Sequence, residues 1–382
     1  MKKIFYISGT TLPGGGPEHI YQLLKRLNKN EWEVVLCTFN DGYYWEKFNS
    51  IGVRTYNLSL RILSPKAACK LFFILQKEKP DLIHTHGKGP GLYGRIISTF
   101  LNTPTVHTFH GFRYKNIPVF SRWIHLAVEN LLTLFTDQHI FVSTGEKNRA
   151  RVLKFLDEEN STVIHNGVDY EYIRNLPTSR STALKLSNSE NWEPNKILGT
   201  ISRLSPEKGV LILLEAFSKA IKYNPNIRLI IVGGCPEEHK NYHLKIKNFI
   251  DKENVSEYIR VLGYRQDALE ILKCCDYYIS PSLSEGLPIS ILEAIASSIP
   301  TIATEITGNT DIICNSVFGI LAEPNSSESL YKAIVKMVQL NPSEIEVITR
   351  NAFNRVKNNF SVNEMANQTI LLYNHVLNKK YV

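Results

Sequence analysis

Residues 276–294, DYYISPSLSEGLPISILEA, constrain this chain more than any other stretch. Tyr277, Tyr278 and Ile279 are the aromatic and β-branched residues expected at the end of a buried strand. Pro281, Ser282 and Ser284 break that strand into a loop, with Glu285 at its tip. Gly286 permits a turn that a side chain would obstruct. Pro288 has the fixed φ that suits a first helical position, and Ile289, Ile291, Leu292, Ala294 and Ile295 carry a largely buried helix. A strand that feeds straight into an apolar helix is the repeating unit of an α/β fold.

Two carboxylates, Glu285 on the loop and Glu293 on the helix, stand eight residues apart around the free N–H groups of a helix start. Carboxylates accept hydroxyl hydrogen bonds from polyols, and helix N-termini favour phosphates. The arrangement is a mould for a sugar joined to a nucleoside diphosphate. Taken as a bare pattern, it also fits a strand–loop–helix with a capping Glu.

The same alternation runs through the whole chain. Strands are expected at 3–8, 33–37, 53–57, 81–86, 104–108, 137–143 and 161–169, and again at 196–202, 227–234 and at the start of the segment 300–314. At 382 residues the chain exceeds one ordinary core, and two domains are expected. They divide as 1–170, rejoined by a terminal helix within 361–382, and 171–360. The polar, Ser-, Asn- and Pro-containing stretch 177–195 reads as a linker or surface excursion. The apolar segment 118–135 reads mostly as core, and 65–79 as an amphipathic helix with Lys66, Lys70, Lys77 and Lys79 beside apolar residues.

Composition narrows the function class. No window of about 18 uncharged apolar residues occurs, so no spanning helix is expected, and the apolar run near the start is too short for a signal peptide. The six cysteines lack C-x-x-C spacing and read as buried thiols of a reducing compartment. The net charge of +8 is one-sided: residues 1–168 hold 21 Lys+Arg against 13 Asp+Glu, while 169–382 hold 23 of each. Such a half suggests an anionic partner, membrane lipid or a lipid-linked pyrophosphate, and equally fits a merely basic soluble surface; the absence of a nucleic-acid motif points away from DNA or RNA.

Other loops carry candidate site residues. Gly14, Gly15 and Gly16 follow the first strand and would let backbone approach a ligand, but no Gly-Lys-Ser/Thr follows, so this is not a Walker loop. The run Gly89-Pro90-Gly91-Leu92-Tyr93-Gly94 matches G-x-G-x-x-G, yet no Asp or Glu lies between Leu82 and Val128 to hold a ribose. Those glycines are expected to allow a close helix–sheet contact or to shape an acceptor surface. His110 stands at a strand's C-terminal end, where open α/β sheets place ligands. Arg203 and Lys208, five apart on a loop entering a helix, form a candidate diphosphate clamp. No D-x-D sequence occurs, so no metal and no cofactor is expected.

The run SLSEGLPISILEA resembles the E-x7-E signature of the family 4 retaining glycosyltransferases, which have the glycosyltransferase B fold. R-x-x-x-E-K-G at 203–209, T-x-H-G at 108–111, N-G-V-D at 166–169 and the segment around Gly263 and Tyr264 resemble further motifs of that family. The resemblance implies two doubly wound Rossmann-like domains facing a cleft, with a C-terminal helix crossing back to the first. It implies that Glu285 contacts donor hydroxyls and orients the sugar, Glu293 holds the ribose, and Arg203 and Lys208 meet the diphosphate. His110 would point at the donor sugar. Gly15 and Gly16 would lie near the donor phosphates, Gly263 and Tyr264 beside the base, and Gly286, Leu287, Pro288 and Ile289 around the donor.

The implied reaction is retaining transfer of a hexosyl or N-acetylhexosaminyl group from a nucleoside-diphosphate sugar, UDP-linked, to a glycan hydroxyl on a lipid-linked polysaccharide precursor. A nucleotide-sugar 2-epimerase of the same fold and a non-catalytic nucleotide-sugar-binding protein are the alternatives. The first would be expected to carry additional acid/base carboxylates near the sugar, and the second has no need of the full set Arg203, Lys208, Glu285 and Glu293. Expected partners are the sugar nucleotide, a glycan or lipid-linked acceptor and an anionic membrane surface, with no nucleic acid. The expected location is cytoplasmic and peripheral at the inner membrane face.

Overall fold

The computed structural model describes residues 1–111 and 119–379. The chain divides into two compact units, Met1–Gly167 with Val362–Val382, and Val168–Ser361. In the first, β1 (Lys2–Ile7), β2 (Trp32–Thr38), β3 (Arg54–Asn57), β4 (Leu82–His86), β5 (Thr105–Phe109), β6 (Gln138–Phe141) and β7 (Ser161–Val163) form one parallel sheet. Its order is β3-β2-β1-β4-β5-β6-β7. In the second, β8 (Lys196–Ile201), β9 (Ile227–Val232), β10 (Ile259–Val261), β11 (Tyr277–Ser280), β12 (Thr301–Thr304) and β13 (Ile320–Ala322) order as β10-β9-β8-β11-β12-β13, again all parallel. Both are Rossmann-like, with strand order reversing between β1 and β4 and between β8 and β11.

The reason lies in the strands. Ile4, Phe5, Tyr6 and Ile7 are all fully buried, so β1 hides both faces, as a central parallel strand with helices above and below must. Helix Lys88–Phe100 packs tightly on that sheet because it carries glycines: a Cβ on Gly91 would sit 2.6 Å from His107, and one on Gly94 2.3 Å from Thr85. The G-x-G-x-x-G run is therefore helical and serves close packing. Helix Val362–Lys379 closes the first unit's core with Met365, Ala366, Tyr373, Val376 and Leu377. The Tyr373 hydroxyl lies 2.7 Å from the Tyr6 hydroxyl and 2.6 Å from His84 Nδ1, deep beneath the sheet.

Several local expectations change. Residues 177–195 are not a linker: helix Arg180–Leu186 and a short 3-10 turn bury Ala183, Leu184 and Trp192, the last only 1 % exposed. Arg228 and Arg260 lie against the Trp192 ring, which explains how a polar stretch is pinned by one indole. Helix Val119–Thr133 is not mainly core, since Phe120 and Trp123 are 77 % and 74 % exposed and Ile124 and Leu131 also face solvent. Helix Pro65–Glu78 turns its apolar side, Ala67, Leu71 and Leu75, onto the sheet, leaving Lys66, Lys70, Lys77 and Phe73 outside. The strands expected at 137–143 and 161–169 are also shorter, ending at Phe141 and Val163. Residues 112–115 of the segment after His110, and Pro118, lie outside the described residues.

Candidate active site

In the second unit the candidate residues gather at the C-terminal ends of the strands, on either side of the β8–β11 switch. The loop after β8 carries Arg203 and Lys208, and the loop after β11 carries Glu285. Two close backbone approaches bind the Glu285 loop to the loops after β8 and β12. Gly209 has φ 65° and sits where a Cβ would lie 2.1 Å from the Pro281 carbonyl oxygen, and the Leu283 N–H donates to the Glu207 carbonyl at 2.8 Å. Gly308, at φ 87°, likewise leaves only 2.2 Å between an added Cβ and the Gly286 carbonyl oxygen. Any L side chain at either position meets both an unfavourable φ and a clash.

Lys208 Nζ donates to Glu285 Oε1 at 2.6 Å, and Ser282 Oγ donates to the same oxygen at 2.7 Å. Both charged side chains are mostly shielded, with 15 % and 12 % of their surface exposed. Thr304 Oγ1 donates to the Ser282 carbonyl, and Asn309 Nδ2 to the Thr304 carbonyl at 2.8 Å, bracing the loop from beneath. Arg203 is more exposed and lies 3.5 Å from Glu207 Oε1. Glu293 is half-buried in the second turn of helix Ile289–Ala296, for which Pro288 is the N-cap residue rather than the first helical one. Gly286, Leu287, Pro288 and Ile289 are buried and form the turn into that helix.

Gly263 and Tyr264 reach the same rim. The Gly233 N–H donates to the Gly263 carbonyl at 2.8 Å, the Leu204 N–H donates to the Gly234 carbonyl at 2.8 Å, and Tyr264 is 45 % exposed. This network places the β8, β9 and β10 loops side by side.

In the first unit, Gly15 and Gly16 open helix Gly15–Arg26, and a Cβ on Gly16 would meet nothing within 4 Å. Behind them three imidazoles converge: His19 on that helix, His86 at the end of β4 and His110 after β5. His86 Nδ1 and His110 Nε2 are 3.0 Å apart, and the His19 Nδ1–H donates to Asn166 Oδ1 at 3.0 Å. Burial pushes the His19 imidazole down to about 4 against the opposing pull of that bond, and burial likewise holds His86 and His110 well below the usual range. All three rings are neutral at physiological pH.

Residues 184–355 match the family described as glycosyl transferases group 1, and residues 13–172 match glycosyltransferase family 4. The chain is 30% identical over 332 residues to the UDP-Gal:alpha-D-GlcNAc-diphosphoundecaprenol alpha-1,3-galactosyltransferase of Escherichia coli, covering 85% of this chain and 82% of that one. This chain belongs to the family 4 glycosyltransferases.

The same glycosyltransferase is 22% identical to the N,N'-diacetylbacillosaminyl-diphospho-undecaprenol alpha-1,3-N-acetylgalactosaminyltransferase of Campylobacter jejuni, over 93% of this chain and 94% of that one. Its fold superposes on Anabaena HepE, solved with UDP and glucose, with a TM-score of 0.87 at 21% identity, covering 98% and 100% of the two chains. The fold is glycosyltransferase B, and the enzyme is a hexosyltransferase.

Sequence reasoning did not single out four residues that this glycosyltransferase places among the candidates. Glu207 and Ser282 lay inside the quoted motifs but had no assigned partner until folding joined their loops. His19 and His86 carried a weaker signal, a His three residues past Gly16 and an H-x-H strand ending. Among the described residues no helix is long and apolar enough to cross a membrane.

Proposed function

We propose that this glycosyltransferase moves a hexosyl or N-acetylhexosaminyl group from a UDP-linked sugar to a hydroxyl of a lipid-linked glycan, with retention of anomeric configuration. The observation that carries the reading is the half-buried Lys208–Glu285 pair at the strand-order switch, a cation and a carboxylate held together where open α/β sheets bind ligands. Lys208 and Arg203 offset the charge that develops on the departing UDP, which is the largest catalytic contribution assigned here. Glu285 orients the sugar ring and Glu293 holds the ribose. His110, in the other unit, is the residue that the family resemblance assigns to the donor sugar. The leaving phosphate accepts the acceptor's proton.

The relatives support the substrate class. One is named for a UDP-galactose donor and both curated relatives for acceptors on a diphospho-undecaprenol carrier. Charge fits an anionic, membrane-borne acceptor: the first unit holds 23 Lys+Arg against 14 Asp+Glu, the second 21 against 22. In this reading the first unit serves the acceptor and rests reversibly on an anionic membrane, and the second binds the sugar nucleotide.

The test offers UDP-Gal, UDP-Glc, UDP-GlcNAc and UDP-GalNAc in turn, with and without a short polyprenyl-diphosphate GlcNAc. UDP release and product mass are followed, and the new linkage is read by NMR. Acceptor-dependent UDP release with an α-linked product is expected. Isomerised sugar nucleotide, or binding without UDP release, would overturn the proposal.

A further inference from the structure

We propose that His19, His86 and His110 form a site for one transition-metal dication of the zinc class, and that filling it inhibits sugar transfer. Binding stands on the geometry alone; inhibition rests on the role proposed above for His110.

One ring nitrogen from each histidine lies within 4.8 Å of the other two. Two nitrogens bound to tetrahedral Zn²⁺ at about 2.0–2.1 Å lie about 3.3 Å apart. His86 Nδ1 and His110 Nε2, at 3.0 Å, are already near that spacing, and a small rotation of the His19 ring brings in the third. That ring sits edge-on to His110, with centroids 4.9 Å apart. Its Nδ1–H is committed to Asn166 Oδ1, so Nε2 keeps its lone pair for a ligand. A ligating imidazole whose other nitrogen is tied to an amide or carboxylate oxygen is the usual outer-shell arrangement of metal-bound histidine.

His86 Nε2 is buried with no hydrogen-bond partner among the described residues, so it is the nitrogen that carries the ring's proton when Nδ1 turns its lone pair to the ion. Tyr6 stacks on the His86 ring at 5.8 Å and 12°, which limits how far that ring can swing. The ligands stand on helix Gly15–Arg26, on the last residue of β4 and on the residue that follows β5, all in one unit, so the site needs no rearrangement of the fold.

The donor set selects the ion. Three imidazoles and no carboxylate suit Zn²⁺, Ni²⁺ or Cu²⁺ and disfavour Mg²⁺, which demands oxygen ligands. Three ligands leave a fourth position for water. With His110 on the metal, its nitrogen is withdrawn from the donor sugar, so the ion acts against transfer and is not its cofactor.

The experiment titrates the full chain with ZnCl₂ or MgCl₂ by calorimetry and records the absorption spectrum of the Co²⁺ form. One equivalent of Zn²⁺ is expected to bind and Mg²⁺ not at all. His19→Ala and His86→Ala should each weaken binding by at least about tenfold, and Asn166→Ala by about tenfold as an outer-shell change. The Co²⁺ spectrum should show nitrogen ligation without a thiolate charge-transfer band. The double substitution Cys69→Ser with Cys314→Ser, which removes the exposed thiols, should change nothing. Absence of stoichiometric Zn²⁺ binding, or binding that survives both His substitutions or disappears with the thiols, overturns the site. Should a His variant fail to fold, Asn166→Ala and the Co²⁺ spectrum decide. Zn²⁺ should also slow UDP release, reversibly on chelation; full activity with the site filled would overturn the inhibition while leaving the site. Failure of the glycosyl-transfer assay would leave the calorimetric result standing.

Discussion

Lys208 and Glu285, 77 residues apart in sequence, are joined Nζ to Oε1 at 2.6 Å, with the Ser282 hydroxyl on the same oxygen. The cation assigned to the diphosphate and the carboxylate assigned to the sugar therefore hold each other before any donor arrives. Neither side chain has to be ordered at the moment of binding, which is how a preorganised site lowers the cost of reaching its transition state.

Removing either cation tests the clamp. Lys208→Ala or Arg203→Ala is expected to lower kcat by about 10²–10³, the typical cost of losing one preorganised charge-stabilising donor. Lys208→Ala should be the more damaging, because it also leaves the shielded Glu285 carboxylate without its cation. Steady-state UDP release checks this; wild-type turnover in both variants would remove the clamp.

The two carboxylates should separate. Glu293→Gln is expected to weaken binding of free UDP by about tenfold, the effect of losing a hydrogen bond to a charged group. Glu285→Gln should leave UDP affinity nearly unchanged and lower kcat, since Glu285 is assigned to the sugar ring and the neutral amide can still accept from Lys208. Calorimetric titration with UDP distinguishes them, and equal weakening in both would mean the roles are misassigned.

Catalysis should continue in excess chelator, with the two cations carrying the leaving-group charge. The measurement is UDP release after dialysis against EDTA. Complete loss that Mg²⁺ or Mn²⁺ restores would refute the metal-independent mechanism.

Membrane contact can be read with vesicles. Lys66, Lys70 and Lys77 are exposed on one helix, and Phe120 and Trp123 on another in the same unit. Each basic residue near an anionic surface contributes about 1 kcal/mol, screened by salt. Changing the three lysines to Gln should weaken sedimentation with anionic vesicles and reduce its salt dependence, while Phe120→Ser with Trp123→Ser should lower binding at high salt. Equal, negligible binding of the wild type to anionic and neutral vesicles would exclude this surface.

Tyr373→Phe probes the terminal helix. Its hydroxyl serves both Tyr6 and His84 in a fully buried place, and deleting it leaves those groups unpaired at a cost of about 1–3 kcal/mol. The urea midpoint should fall. An unchanged midpoint would show that apolar packing by Met365, Val376 and Leu377 holds the helix alone.

Much of the architecture was legible in order along the chain because parallel strands buried on both faces are apolar runs, and loops announce themselves by Gly and Pro. Burial of side chains in helices was not. The segment 118–135 has a core-like composition, yet Phe120 and Trp123 face solvent, while polar 177–195 buries Trp192. Composition averages over a helix's faces, and which face meets the sheet depends on partners distant in sequence.

The sequence by itself determined the repeated strand–helix units, the one-sided charge and the identity of the segments that carry Arg203, Lys208, Glu285 and Glu293, because each follows from local periodicity, counting or a contiguous motif. Only the tertiary structure decided that Lys208 is paired with Glu285, that Gly209 and Gly308 clamp the Glu285 loop to its neighbours, and that His19, His86 and His110 meet. Those relations join loops from different strands, and parallel pairing brings the strand ends to one edge only after long crossovers have closed.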